Sequence, residues 1–295
     1  MNANLGISKL ARAALTLGSL CAMACSARVD TVNAPDATVN APDATVNAPD
    51  AATPSDDGGG QDASDAAIDS ALPSSSRYPA DLLDLASWKI TVPVETDHPG
   101  DPDEHTQPEL ASFELEPYFM LSPSRDSVLF RAHAGGATTS GSDYPRSELR
   151  EMSADGAQEA SWSTTSGTHS MTVRQAITHL PVEKPHVVAG QIHDAEDDVI
   201  MIRLEGSHLF VEAGGDEVAT LDSAYELGTI FSVRLVASGG HIRVFYDGEM
   251  KLDLERDSEG CYFKAGCYTQ SNTSRGDEAS AYGEVAVYEL TLTHE

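Results

Sequence analysis

Across residues 78–295, apolar and polar residues alternate in one short stretch after another, with Gly, Asp and Ser at the breaks. A period of two sends successive side chains to opposite faces of a strand. Residues 128–132 form one such stretch. Residues 169–180 set Met171, Val173 and Ile177 against polar neighbours. Residues 199–211 carry Ile200, Ile202 and Leu204 and resume after Gly206-Ser207-His208. Residues 242–252 contain Asp247-Gly248, a two-residue hairpin signal. Residues 285–292 close the set, and helical periodicity is nearly absent. This pattern predicts an all-β fold, an antiparallel β-sandwich or jelly roll. One sheet face would pack on the core while the other curves into a concave cleft.

The first part of the chain reads differently. Residues 1–25 look like a lipoprotein-type signal peptide. Lys9 and Arg12 lead into an apolar run too short to span a bilayer, which ends at Ala22-Met23-Ala24-Cys25-Ser26. That ending resembles a bacterial lipobox, with Cys25 as the lipidated first residue of the mature chain. An ordinary cut nearby would give a freely secreted protein instead. The expectation is an exported chain, an outer-membrane lipoprotein or extracellular, whose contact with a membrane is through the N-terminal lipid anchor. Residues 26–77 form an acidic linker, in which Thr-Val-Asn-Ala-Pro-Asp-Ala starts at Thr31, Thr38 and Thr45. A proline in each copy breaks any helix. The segment buries too little apolar surface to offset its ordering entropy and is read as a disordered stalk. The folded domain is then residues 78–295.

The chain has 47 acidic residues against 18 Lys and Arg, a formal net charge of -29. Nucleic acid is excluded as a partner, because a polyphosphate needs a basic footprint. Any local cluster of cations therefore marks a place where an anion binds.

Three stretches carry such clusters. In residues 262–270, strand alternation puts Lys264, Tyr268 and Gln270 on one face and Phe263, Ala265, Cys267 and Thr269 on the other. In residues 146–150, Arg146, Glu148 and Arg150 share a face, and two guanidiniums bracketing a carboxylate suit planar anions. A solvated face with weak surface ion pairs explains that block equally well by itself. Gln191 and His193 share a third face, with Ile192 turned to the core. A single His in such a place is more often structural than catalytic, but the three faces together match removal of a proton beside a carboxylate. Metal-ligand spacings and a Gly-x-Ser-x-Gly elbow are missing, so neither metal nor cofactor is expected.

These blocks, in this order, resemble the signatures of the polysaccharide lyase family 7 alginate lyases: Arg-x-Glu-Leu-Arg at residues 146–150, Gln-Ile-His at 191–193 and Tyr-Phe-Lys-Ala-Gly-x-Tyr-x-Gln at 262–270. Ser87-Trp88-Lys89, residues 184–188 and residues 287–290 extend the resemblance over the whole of 78–295. It implies a concanavalin-like jelly roll acting on an anionic polysaccharide, alginate; separately, a monomer is expected. It further implies β-elimination at 1,4-linked uronates, leaving 4-deoxy unsaturated ends. By residue-wise carry-over, Arg146, Gln191 and His193 surround the sugar carboxylate or its C5 proton, and Tyr268 protonates the departing O4. On guluronate His193 is the base and Tyr268 the acid. On mannuronate Tyr268 does both, which requires nearby Arg and Lys to lower its pKa. Arg150, Lys264 and Gln270 bind substrate, with Glu148 positioning them. In the family, Ile at the position of Ile192 goes with guluronate-containing polymer, so preference for such blocks is expected; endolytic cutting is a separate expectation. Two rivals remain. One is the same elimination on another polyuronate such as glucuronan. The other is a non-catalytic carbohydrate-binding jelly roll, which has no need of both His193 and Tyr268.

Cys261 and Cys267 fall on one strand face, roughly 20 Å apart if the strand is regular and far beyond disulfide reach. A bulge near Gly266 would shorten that gap, so bonded and free states both stand at this point.

Overall fold

Alternating apolar residues produce fifteen strands in the computed structural model, which describes residues 76–295; the signal segment, Cys25 and the three repeats lie outside the described residues. The strands are β1 (Trp88–Thr91), β2 (Glu104–His105), β3 (Phe119–Leu121), β4 (Val128–His133), β5 (Arg146–Glu151), β6 (Thr168–His179), β7 (His186–His193) and β8 (Asp198–Glu205). They continue with β9 (His208–Ala213), β10 (Asp216–Asp222), β11 (Phe231–Ser238), β12 (His241–Tyr246), β13 (Glu249–Glu255), β14 (Tyr262–Thr269) and β15 (Tyr282–His294). Helical structure among the described residues is limited to three short 3-10 turns.

The strands form two antiparallel sheets, one of eight strands in the order β10-β9-β8-β7-β14-β5-β1-β2 and one of seven in the order β13-β12-β11-β6-β15-β4-β3. The two late strands are inserted centrally: β14 between β5 and β7, and β15 between β4 and β6. This is the jelly-roll sandwich that the alternation predicts. Its core takes the inward residues of both sheets, with Trp88, Phe119, Phe130, Phe231 and Phe263 fully buried. Each such side chain contributes roughly 1.5–3 kcal/mol on leaving water. The Asp247-Gly248 turn joins β12 to β13 with φ of 47° and 83°, the paired positive values of a type I′ hairpin.

The three strands that carry the polar blocks lie side by side. Across them, Lys264 of β14 is opposite Arg150 of β5 and Gln191 of β7, and Tyr268 is opposite Arg146 and Val188. Tyr262 is opposite His193. Between Ala265 and Tyr268, β14 carries one residue more than β7. Gly266 makes this bulge possible. Its φ is 128°, and a Cβ there would stand 2.7 Å from the Ser147 carbonyl and 2.8 Å from Phe130 Cδ1. The bulge does not join the cysteines: both thiols are free and buried, and burial pushes Cys261 up to about 11 and Cys267 up to about 12. Ile192, Phe263, Ala265 and Cys267 all sit in the core, as alternation requires.

Candidate active site

A buried carboxylate organises the polar face. The Glu148 side chain is 2 % exposed; Oε2 lies 3.1 Å from Arg146 Nη1 and 3.2 Å from Lys264 Nζ, and Gln191 Nε2 donates to Oε1. Burial alone would raise the Glu148 pKa, but Lys264, Arg146 and Gln191 outweigh it and hold the group below its usual value. Glu148 is therefore a carboxylate that fixes one residue from each of three strands. Two cations against one anion leave the cluster with a positive balance, and Arg146 Nε is buried without a hydrogen-bond partner.

The two candidate proton-transfer groups flank this cluster. His193 Nδ1 lies 2.8 Å from the Asp194 carbonyl oxygen. A carbonyl only accepts, so Nδ1 carries the proton and Nε2 keeps its lone pair. Burial lowers the His193 pKa from the usual 6.5, the nearby Lys264 and Arg146 work in the same direction, and the ring is neutral at neutral pH. It stacks on Tyr262, with centroids 5.2 Å apart. Tyr268 lies under Arg146, whose guanidinium carbon is 4.0 Å from the ring centroid, and its hydroxyl is 2.7 Å from Ser142 Oγ. Burial raises the Tyr268 pKa above 10 against the pull of Arg146, Ser142 and Gln270. The lowering that a tyrosine base requires is thus not met, because desolvation outweighs the cations.

Arg146, Glu148, Arg150, His193 and Lys264 line a cavity of about 620 Å³. Gln191 is buried against Glu148, Tyr268 stands behind Arg146, and Gln270 is buried just past β14, its backbone N–H donating to the His186 carbonyl. Alternation also places Tyr262 on the Lys264 face, and Arg150 covers its ring at 3.8 Å. Sequence reasoning gave Tyr262 no role, although its spacing carried the signal. Other lining residues left no such trace. Lys89 and Glu104 arrive from β1 and β2, Glu159 from the segment after β5, and Thr139 and Gly141 from the segment before it. The cavity is not cationic throughout: Lys89, Arg146, Arg150 and Lys264 are set against Glu104, Glu148, Glu159, Asp194, Glu196 and Asp197. The positive balance is local to the Glu148 cluster.

A jelly roll with a histidine and a tyrosine beside a cationic cluster fits the class of polysaccharide lyases, and sequence similarity places the chain there. A family profile described as alginate lyase matches residues 83–294, and the chain belongs to that family. It is 26% identical to an alginate lyase of Klebsiella pneumoniae, over 76% of this chain and 94% of that one. Among solved structures it is similar to the polysaccharide lyase family 7 alginate lyase AlgAT5, at 59% identity and a TM-score of 0.72, over 75% of this chain and all (100%) of that one. It is likewise similar to an alginate lyase from Corynebacterium sp., at 47% identity and a TM-score of 0.71, over 74% and 98% of the two chains.

Proposed function

We propose that this chain cuts alginate within the polymer by β-elimination, with preference for guluronate-containing blocks. Arg146 and Gln191 neutralise the carboxylate of the sugar that loses its proton, so that charge develops on it as an enolate-like species. His193 Nε2 takes the C5 proton. The C4–O4 bond breaks, a C4–C5 double bond forms, and Tyr268 gives its proton to O4. Lys264 and Arg150 hold uronate carboxylates, and Glu148 keeps the floor in register.

The observation that carries this reading is the placement of the pair beside the Glu148 cluster, with His193 Nδ1 committed to the Asp194 carbonyl so that Nε2 is free, and with burial shifting His193 down and Tyr268 up. Separate base and acid suit guluronate, where the two groups leave from opposite faces of the ring. Mannuronate would ask Tyr268 to act first as base, against the direction of its shift. Endolytic cutting is supported by cations on both sides of the centre: Lys89 and Arg150 toward β1, Lys184 and Arg275 beyond Tyr268.

The test is ultraviolet absorbance over time on poly-guluronate, poly-mannuronate and glucuronan, since each elimination creates a conjugated double bond. The fastest rise is expected on poly-guluronate. Tyr268→Phe and His193→Ala should each lose about 10²–10⁴-fold there. Full activity of His193→Ala on poly-guluronate would remove the base assignment. A rise on glucuronan alone would replace the substrate, and binding without any rise would make the domain a carbohydrate-binding module.

A further inference from the structure

One end of the cavity contains a carboxylate shared between two cations. Glu159 reaches Arg150 Nη2 at 3.1 Å and Lys89 Nζ at 3.1 Å. The two cations are well fixed. Arg150 stacks over Tyr262, its Nη1 donates to the Glu151 carbonyl at 2.9 Å, and its side chain is 15% exposed. Lys89 has a second carboxylate, Glu104, at 2.8 Å. Glu159 is the opposite case. Its side chain is 57% exposed, while its backbone is pinned by a bridge to Met152 and by the Ala160 N–H on the Glu151 carbonyl. The carboxylate can swing away without moving the chain. Lys89 would keep Glu104, whereas Arg150 would have no other carboxylate within 4.0 Å among the described residues.

We propose that Glu159 is a built-in stand-in for a uronate carboxylate, holding Arg150 in the free enzyme and giving way to the substrate's own carboxylate. This rests on the reading of the cavity as a polyuronate site. Exchange of one carboxylate for another preserves the planar, charge-assisted geometry that a guanidinium prefers. It also costs little on the Glu159 side, because that carboxylate is 57% exposed and an ion pair with a solvated partner is weakly held. A neutral sugar has nothing to offer Arg150 in return, so this end of the cavity favours charged units and rejects uncharged ones. Glu159 therefore acts as a specificity residue and lowers apparent affinity for the polymer it helps to select.

The experiment measures KM on poly-guluronate and on short guluronate oligomers for the wild type, Glu159→Gln and Glu196→Gln, with melting temperature as the check on folding. Glu196 lines the same cavity, and its side chain has no ion-pair partner within 4.0 Å among the described residues, so Glu196→Gln removes the same charge without releasing a cation. Glu159→Gln should lower KM by roughly two- to fivefold, and Glu196→Gln by clearly less. Glu159→Ala should follow Glu159→Gln. A KM for Glu159→Gln that rises or stays unchanged overturns the proposal, since the residue would then be positioning Arg150. An equal fall in Glu196→Gln overturns it too, in favour of bulk charge. Wild-type protein inactive on every alginate polymer would instead remove the functional reading beneath it.

Discussion

Cations flank the Glu148 cluster on two sides, and the two sides treat them oppositely. Toward β1, Lys89 and Arg150 are held by Glu104 and Glu159. Beyond Tyr268, Lys184 Nζ and Arg275 Nε both donate to the Tyr144 hydroxyl, at 2.9 and 3.1 Å, and neither has a carboxylate within 4.0 Å among the described residues. The Tyr144 ring meets Tyr268 edge-on at 6.4 Å. Burial would raise the Tyr144 phenol, yet Lys184 and Arg275 outweigh it and hold it below its usual value, as cations with no acid beside them should. In a chain with 47 acids and 18 Lys and Arg, leaving two neighbouring cations unpaired at the site needs an account. A polyanion gains attraction outright at the open side, whereas at the clamped side it must first displace an internal partner. On the proposed function, affinity is then set mainly at one end and selectivity at the other.

The strongest way to break this comparison is at the buried cluster between the two ends. Glu148→Gln leaves Arg146 and Lys264 without their shared carboxylate. Removing one partner from a buried ion pair typically costs about 3–5 kcal/mol, which chemical denaturation would read directly. A loss much below that range would mean that carboxylates beside these cations are incidental, and the distinction between clamped and open ends would lose its basis.

A smaller effect separates the buried cluster from the open end by pH. The His193 pKa lies below 6.5, so kcat/KM should hold through neutral pH and fall only as acid protonates the ring below that value. The Tyr268 pKa lies above 10, so the alkaline fall should begin only beyond it. Asp198, opposite His193 in register, is pushed up to about 6 by burial and by Asp197 and titrates nearby. Profiles in an Asp198→Asn background isolate the histidine. Lys264 helps to depress His193, whereas Lys184 is engaged with the Tyr144 hydroxyl. Lys264→Met should therefore move the acid limb upward and Lys184→Met should leave it in place. If Lys184→Met moves the limb, the open end reaches His193 and is not separate from the buried cluster.

How much of this was readable beforehand follows from the physics of strands. Period-two alternation placed Lys264 with Tyr268, Arg146 with Glu148 and Arg150, and Ile192 in the core, because a sheet enforces that geometry on any chain that forms it. The family was legible from the resemblance of the three blocks, in their order, to its signatures, not from periodicity. Glu159, Ser142, Lys184 and Arg275 were not legible as site residues. They lie outside the site strands, and their positions depend on where connecting segments cross the sheet edge, which no local periodicity encodes. The sign of the Tyr268 shift was hidden for a related reason: proximity to Arg146 is visible in register, but the desolvation that overrides it exists only once the sandwich closes.

The smallest expected effect is also the sharpest test of the comparison. Lys184→Met with Arg275→Met keeps most of each apolar stem and removes both charges. The segment before β7 should stay in place, because Asp277 binds the backbone N–H groups of Val182, Glu183 and Lys184 whatever side chain stands at 184. KM on poly-guluronate should rise roughly three- to tenfold, and its dependence on salt should flatten. This is opposite in sign to Glu159→Gln, as a lost attraction must be when compared with a removed competitor. The two ends share no hydrogen-bond partner, so combining all three substitutions should give the product of the separate changes, with a coupling below about 0.5 kcal/mol. A larger coupling would show that one carboxylate of the polymer serves both ends. The cavity would then be a single binding region around Glu148 rather than an open side and a clamped side.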